Sequence, residues 1–232
     1  MVKVIALVRS APSGPPLSVT TLVEELKSVW LRGGEPDEGL RGLVVSEVHK
    51  PFDEGSDLVA MVELWRDELA DDQKGWGHIL PREVAGVPID MWVTHEHVFK
   101  APVERESADG SPDVIKLAGT AFRRDDFTKE AFFDYWRDVH APISGSVPGV
   151  GGYVVCEVDE RLAGESAADA VLELWYADEE TFNRTGDAPQ QAAAWEDVPR
   201  YAKPIGEFWL MREHILVPPR PTGPGLLEVA NA

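Results

Sequence analysis

One histidine, His140, stands in a sequence context that suits acid–base chemistry. It follows Trp136 by four residues, so in a helix both side chains would lie on the same face. An imidazole exchanges protons near neutral pH and can act as a general acid or base. The alternative is structural, because a histidine near a helix end, here before Ala141-Pro142, can cap carbonyls and complement the helix dipole. Tyr135 could donate its phenolic hydroxyl to a ligand, but we favour a position between helix and sheet for it.

Two Glu-His pairs, Glu96-His97 and Glu213-His214, recur in strand-like segments. Neighbouring residues of a strand face opposite ways, and an ionisable side chain at either interface needs a partner or a pocket. We therefore keep His97 and His214 as candidate catalytic residues. Their presence in both halves favours the structural alternative, in which the pairs form cross-repeat ion pairs. His95 would share a face with His97, but no third ligand follows from the spacing, so we expect no metal site.

Several aromatic side chains could form the wall of a flat hydrophobic pocket, although most aromatic residues are expected in the core. The candidates for substrate binding are Trp136, Phe122, Tyr153, Trp209 and Trp92. His49 and His78 could line the mouth of such a pocket, but their spacing singles out neither. Walker, Gly-x-Gly-x-x-Gly, Gly-x-Ser-x-Gly and paired-Cys signatures are absent, so the sequence indicates neither nucleotide nor acyl-enzyme chemistry.

The elements that must position these residues occur twice. Val44-Val-Ser-Glu-Val48 recurs 110 residues later as Val154-Val-Cys-Glu-Val158, and Glu63-Leu-Trp65 recurs at the same offset. Trp92-Val-Thr-His-Glu-His97 recurs at an offset of 117 as Trp209-Leu-Met-Arg-Glu-His214. Three matches in the same order indicate an internal duplication, with the second half longer between its third and fourth strands.

Each half contains four strand-like segments rich in Val, Ile, Leu and Trp. They span 2–9, 42–49, 57–66 and 91–99 in the first half, and 113–122, 152–158, 169–176 and 206–217 in the second. Amphipathic patterns predict a helix over 18–30 and another over 128–139, the second with Thr128 as its N-cap. A second helix in each half is expected near 67–80 and 179–197.

The resulting order, β-α-β-β-α-β twice, is that of two tandem ferredoxin-like repeats. Each repeat makes a four-stranded antiparallel sheet with helices on one face, and the bare face must be buried. We therefore predict an α+β fold in which the two repeats pack as a pseudo-dimeric barrel. The predicted domains are 1–101, a charged linker at 102–112, and 113–217, followed by a Pro/Gly-rich tail at 218–232.

Composition excludes some partners and a disulfide framework. The 232 residues carry 41 acidic against 22 basic side chains and a formal net charge of −19, which disfavours nucleic acid. The single cysteine, Cys156, permits no intrachain disulfide and fits a reducing cytoplasm. No segment approaches the length of a membrane span. Because the duplication covers the sheet face that single repeats bury by dimerising, we expect a monomer or a homodimer.

The second half resembles the EthD family of the dimeric α+β barrel superfamily. The resemblance rests on the segment Phe122–Pro142, with its core Tyr135-Trp-Arg-Asp-Val-His-Ala-Pro142, and on Val147-Pro-Gly-Val-Gly-Gly-Tyr153, and it covers roughly 113–217. The first half departs from the pattern, since Trp30 to Pro36 contains no histidine. If the signature marks a site, the chain therefore has one such site. Related barrels include isomerases, polyketide cyclases, decarboxylases and haem-binding enzymes, so the resemblance implies small, often aromatic ligands without fixing a reaction.

Three functional hypotheses follow. The first is a cofactor-independent enzyme, a cyclase, isomerase, dehydratase or other lyase, in which His140 moves a proton on a small hydrophobic, aromatic or polyketide-like compound. The second is a haem-binding barrel, with His97, His214 or His140 as the proximal ligand. The third is a non-catalytic binding protein that assists another enzyme system.

Overall fold

The computed structural model describes residues 1–11, 17–52, 55–69, 79–80, 87–102, 114–204 and 206–219. Within them the first half contains β1 (Val2–Arg9), α1 (Val19–Trp30), a short ribbon of β2 (Leu31–Arg32) and β3 (Glu35–Pro36), β4 (Leu40–Pro51), β5 (Leu58–Arg66) and β6 (Ile89–Lys100). The second half contains β7 (Ile115–Ala121), α2 (Lys129–Tyr135), a π-helical turn (Trp136–His140), α3 (Ala141–Gly145), β8 (Val150–Ala163), β9 (Ala170–Tyr176), α4 (Glu179–Thr185), α5 (Pro189–Asp197), a 3₁₀ turn (Val198–Arg200) and β10 (Phe208–Val217).

The eight long strands close into one antiparallel barrel in the order β1-β5-β4-β10-β7-β9-β8-β6. Each half contributes four neighbouring strands, and β4 pairs with β10 while β6 pairs with β8 to join the halves. Because the barrel is closed, neither four-stranded half has an unpaired edge strand. Closure also buries the face that an isolated repeat would expose. The α+β fold predicted from the sequence is therefore confirmed. The linker at 102–112 lies almost wholly outside the described residues, and the proposed domain limits stay a prediction.

Two of the predicted helices differ from the structure. The helix expected over 128–139 continues to Gly145, because Pro142 lies in the first turn of α3 and the π-helical turn before it removes the clash that a proline causes in a regular helix. The helix expected near 179–197 is divided into α4 and α5, since Pro189 starts a new helix. The helix expected near 67–80 falls mostly outside the described residues, as do His78 and most of the tail at 218–232.

Strand alternation separates an inner from an outer layer. Inward-facing side chains form an apolar cluster in the barrel that includes Ile5, Met61, Trp92, Trp209 and Met211. Outward-facing side chains pack under the helices. In the first half they surround Leu22, Leu26 and Trp30 of α1. In the second half the same layer surrounds Phe132 and Trp136, and the cavity described below lies there.

The described residues contain no helix that is both long enough and apolar enough to cross a membrane.

Candidate active site

A cavity of about 390 Å³ lies between the outer face of the second-half sheet and the helices that cover it. Strands β7, β8 and β9 provide apolar side chains to its floor, and α5 and the chain after it form its opposite wall. Trp195 of α5 lines the cavity and is 50% exposed, so the cavity meets solvent beside this indole. Apolar walls with a few polar groups are typical of sites for small molecules.

His140 lies in the wall of this cavity and is only 6% exposed. Its Nδ1 donates to Oδ2 of Asp197 at 3.0 Å, and its Nε2 accepts from the hydroxyl of Ser144 at 2.9 Å. The hydrogen of the neutral ring is placed on Nδ1, because a carboxylate accepts hydrogen bonds and cannot donate them. The structural alternative, in which His140 caps the end of the helix, is therefore wrong. The helix continues past it, and both ring nitrogens bond to side chains.

Local structure explains how these three groups meet. The π-helical turn makes the helix wider at Trp136–His140, and π-turns of this kind often occur at functional sites. Ser144 follows His140 by four residues, one turn further along the same face. Asp197 is the last residue of α5, a helix that packs across α3. Asp197 itself is only 2% exposed.

The carboxylate of Asp197 has two further partners. The Tyr135 hydroxyl donates to its Oδ1 at 2.8 Å, and the Arg200 guanidinium lies 3.7 Å away. Tyr135 does not line the cavity, so it contacts the site through Asp197. Burial and this hydrogen bond raise the pKa of Tyr135, which keeps its hydroxyl protonated as a donor.

Burial also determines the charge state of the imidazole. Desolvation lowers the pKa of His140 below its ordinary value of 6.5, although the hydrogen bond and negative charge of Asp197 act in the opposite direction. A neutral ring with Nδ1–H directed at a carboxylate can accept a proton at Nε2.

Three tyrosines add hydroxyls to the cavity wall, namely Tyr153, Tyr176 and Tyr201. Burial raises the pKa of each, so all three remain neutral hydrogen-bond donors at physiological pH. The Tyr201 ring packs on His140 with a centroid distance of 4.9 Å. The Trp136 Nε1 donates to the Tyr153 oxygen, which leaves the Tyr153 hydrogen free to bond elsewhere.

The other candidates from the sequence lie away from this cavity. His97 and His214 point outward on β6 and β10, where their Nε2 atoms contact Glu157 at 2.9 Å and Glu47 at 3.1 Å. Both contacts join the two halves, as the structural alternative expected. Trp92, Trp209 and Phe122 pack in or against the barrel interior, where a compound in the cavity does not reach them. Exposed His49 contacts Glu179.

One group of potential metal ligands in the barrel already has a cation beside it. Glu96, Cys156 and Glu173 place ligand atoms within 4.8 Å of one another in the barrel. The Lys3 ammonium lies among them, at 2.6 Å from Glu173 and 3.2 Å from Glu96, and so supplies the cation that these groups need.

Of the candidates from the sequence, His140, Trp136 and Tyr153 line this cavity. Sequence reasoning did not single out Ser144, Asp197 or Tyr201. The position of Ser144 one helical turn after His140 is a signal that the sequence does contain. Asp197 gives no local signal, because its contact with His140 spans 57 residues of chain.

Comparisons with known proteins concern the domain family of the second half and the fold of the chain. Residues 124–205 match the family model of the EthD domain. An anthrone oxidase-like protein of known structure superposes over 93% of this chain and 93% of its own, with a TM-score of 0.62 and 16% identity. A monooxygenase-like protein from Fusobacterium nucleatum superposes over 92% and 94%, with a TM-score of 0.60 and 9% identity. At such identities these likenesses show the fold alone, and no curated protein matches the chain.

Proposed function

We propose that the protein is an enzyme of general acid–base type, starting from its α+β barrel fold and from the match of residues 124–205 to the EthD domain model. His140 would take a proton from, or return it to, a small hydrophobic compound held in the cavity. The compound class is a neutral aromatic or polyketide-like molecule, and the reaction is a cyclisation, isomerisation, dehydration or another lyase step.

The observation that carries the proposal is the buried His140–Asp197 pair in the wall of an apolar cavity. A carboxylate bonded to Nδ1 holds the ring in one orientation and stabilises the imidazolium formed when Nε2 takes up a proton. A buried carboxylate is costly where it serves only packing, so the position of Asp197 beside a histidine in the cavity wall supports a chemical role.

The cavity wall supports the choice of compound. Its floor is apolar, which favours an uncharged ring system, since a charged group there would lose its hydration without a partner. The hydroxyls of Tyr153, Tyr176 and Tyr201 are donors that suit a carbonyl or phenolic oxygen. Such donors stabilise the enolate-like charge that develops when a proton leaves a carbon next to a carbonyl.

The haem hypothesis fits the described residues less well. Both ring nitrogens of His140 are bonded, and the Nε2 atoms of His97 and His214 contact carboxylates on the outside of the barrel. A proximal ligand would need one of these contacts to break. A non-catalytic binding role remains an outcome of the test below.

The test uses 2-tetralone, a small aromatic ketone with an acidic carbon–hydrogen bond, as a probe in D₂O. The wild-type protein is expected to accelerate exchange of its α-protons, followed by NMR. His140→Gln keeps a polar side chain of similar size but has no basic nitrogen, and should slow the protein-dependent exchange by roughly 10²–10⁴-fold.

His49→Gln is the matched control, because exposed His49 lies outside the cavity, and its exchange rate should equal that of the wild type. If His140→Gln exchanges the probe at the wild-type rate while remaining folded, the acid–base role is wrong. Saturable binding of the probe without any exchange in the wild type would support the non-catalytic binding protein.

A further inference from the structure

We propose that Ser144 is a nucleophile and that the Ser144–His140–Asp197 group transfers the acyl part of a hydrophobic aryl ester to water. No Gly-x-Ser-x-Gly motif is present, so the sequence does not indicate acyl-enzyme chemistry. Serine triads occur on unrelated folds and are recognised by geometry and roles, not by a motif. The inference rests on the proposed function in one respect, that His140 acts as the base.

The distances meet the geometric requirement for an activated serine. The Ser144 oxygen lies 2.9 Å from Nε2 of His140, and Nδ1 lies 3.0 Å from Asp197. A nucleophile and its base should be within hydrogen-bond reach, with a third group that orients the base. All three side chains are buried, at 8%, 6% and 2% exposure in that order, so competing water is limited.

The nucleophile faces a space that an acyl group can enter. Ser144 and His140 both line the cavity, so a carbonyl carbon in it can approach the Ser144 oxygen. A structural serine on this helix would be satisfied by a backbone carbonyl, as Ser146 is by Ile143 at 2.7 Å. Ser144 bonds to the imidazole instead.

A donor for the developing oxyanion is present in the same wall. The Trp136 Nε1 donates to the oxygen of Tyr153, and this hydrogen bond makes the Tyr153 hydroxyl a stronger donor. Tyr153 lines the cavity together with Ser144. Side-chain hydroxyls can serve as oxyanion donors in place of backbone N–H groups.

The reaction balances with water as the only co-reactant. The Ser144 oxygen forms a bond to the ester carbonyl carbon while its proton moves to Nε2 of His140. The bond from that carbon to the aryl oxygen breaks, and the imidazolium returns the proton to the leaving phenoxide. Water then attacks the acyl-serine, gives its proton to Nε2, and releases the carboxylic acid as the proton returns to Ser144.

The substrate class follows from the cavity. A volume of about 390 Å³ with an apolar floor accommodates one or two fused rings with a short acyl chain and no formal charge. Trp195, half exposed at the boundary with solvent, provides a flat surface against which an aryl group can stack.

The experiment uses two probes on the purified full-length chain. A fluorophosphonate should add once to the wild type, as seen by intact mass, with the adduct located on Ser144 by peptide mapping. Hydrolysis of 2-naphthyl butyrate should release fluorescent 2-naphthol. Ser144→Ala should lose the adduct and slow hydrolysis by roughly 10²-fold or more. Ser146→Ala, a serine at the exposed end of the same helix, is the matched control and should behave as the wild type.

The same variants separate this proposal from the acid–base function. Ser144→Ala retains His140 and Asp197, so it should still exchange the protons of 2-tetralone, whereas His140→Gln should lose both activities. A wild-type protein that exchanges the ketone protons but forms no adduct and leaves the ester intact would overturn the proposal that Ser144 is a nucleophile. That result would leave the acid–base function standing. An adduct on any residue other than Ser144 also overturns it.

Discussion

At His140, burial and a neighbouring carboxylate act in opposite directions on one imidazole. Desolvation has the larger effect and lowers the pKa below 6.5, so the folded protein holds a neutral ring. As the pH falls through about 6.5, the ordinary pKa of histidine, the unfolded chain binds a proton at His140 before the folded chain does. The contribution of His140 to stability is therefore fully present above about pH 6.5 and declines below it. The same neutral ring is the form that can act as a base.

Asp197→Asn should affect both the pKa and the chemistry of His140. Removing the negative charge leaves desolvation unopposed, so the pKa of His140 should fall further. An amide can also donate to Nδ1 and favour the wrong tautomer, so the exchange of 2-tetralone should slow by roughly 10²-fold or more. NMR titration of the imidazole protons measures the first effect and the exchange assay the second.

Asp134→Asn is the matched control, since this carboxylate lies on the exposed side of the helix and contacts Arg137. It should leave both measurements unchanged. A rise in the pKa of His140 in Asp197→Asn would contradict the assignment of Asp197 as the group that favours the charged ring.

At the scale of elements, one long helical segment positions most of the site. It begins at Lys129, widens into the π-helical turn at Trp136–His140, and ends at Gly145. In the wide turn the Ala141 N–H bonds to the carbonyl of Trp136, five residues back, and this spacing accommodates the ring of Pro142. The helix thus remains continuous past the proline, and His140 and Ser144 both face the cavity.

The start of this helix allows a comparison of two caps in one chain. The Thr128 side chain accepts from the Ala131 N–H at 3.1 Å, as the sequence predicted. Ser18 occupies the corresponding position of α1 but makes no side-chain capping bond. Thr128→Ala should therefore lower the free energy of unfolding by about 1 kcal/mol, and Ser18→Ala should change it little. Urea unfolding measures both, and equal losses in the two variants would refute the assigned difference.

At the scale of the whole molecule, the barrel encloses a network of charges related by the duplication. Lys3 contacts Glu63 at 2.9 Å and Glu173 at 2.6 Å, and Lys116 contacts the same two carboxylates from the other half. Lys3 and Lys116 occupy equivalent strands, as do Glu63 and Glu173. Because each lysine binds carboxylates from both repeats, the network connects the two halves inside the closed sheet.

Breaking this network should be costly. Lys116→Met has a similar length but leaves Glu63 and Glu173 with a missing partner in the interior, so we expect a loss of roughly 3–5 kcal/mol in the free energy of unfolding. Lys27→Met removes an exposed lysine that pairs with Glu24, and should cost less than about 1 kcal/mol. Both values come from chemical denaturation. A cost for Lys116→Met no larger than that for Lys27→Met would show that the buried pairs add nothing to stability.

The sequence by itself determined the architecture and part of the site. The repeated Glu-Leu-Trp and Glu-His segments predicted two equivalent sets of strands, because strand periodicity and duplication are both local properties of a chain. It also placed His140 and Trp136 on one helical face. The tertiary structure alone decided that Asp197 meets His140, that the helix continues through Pro142, and that Trp92 and Trp209 lie in the barrel while Tyr153 lines the cavity. These facts depend on which face of a strand is turned inward and on contacts between residues far apart in the chain, which only the packing of the closed barrel fixes.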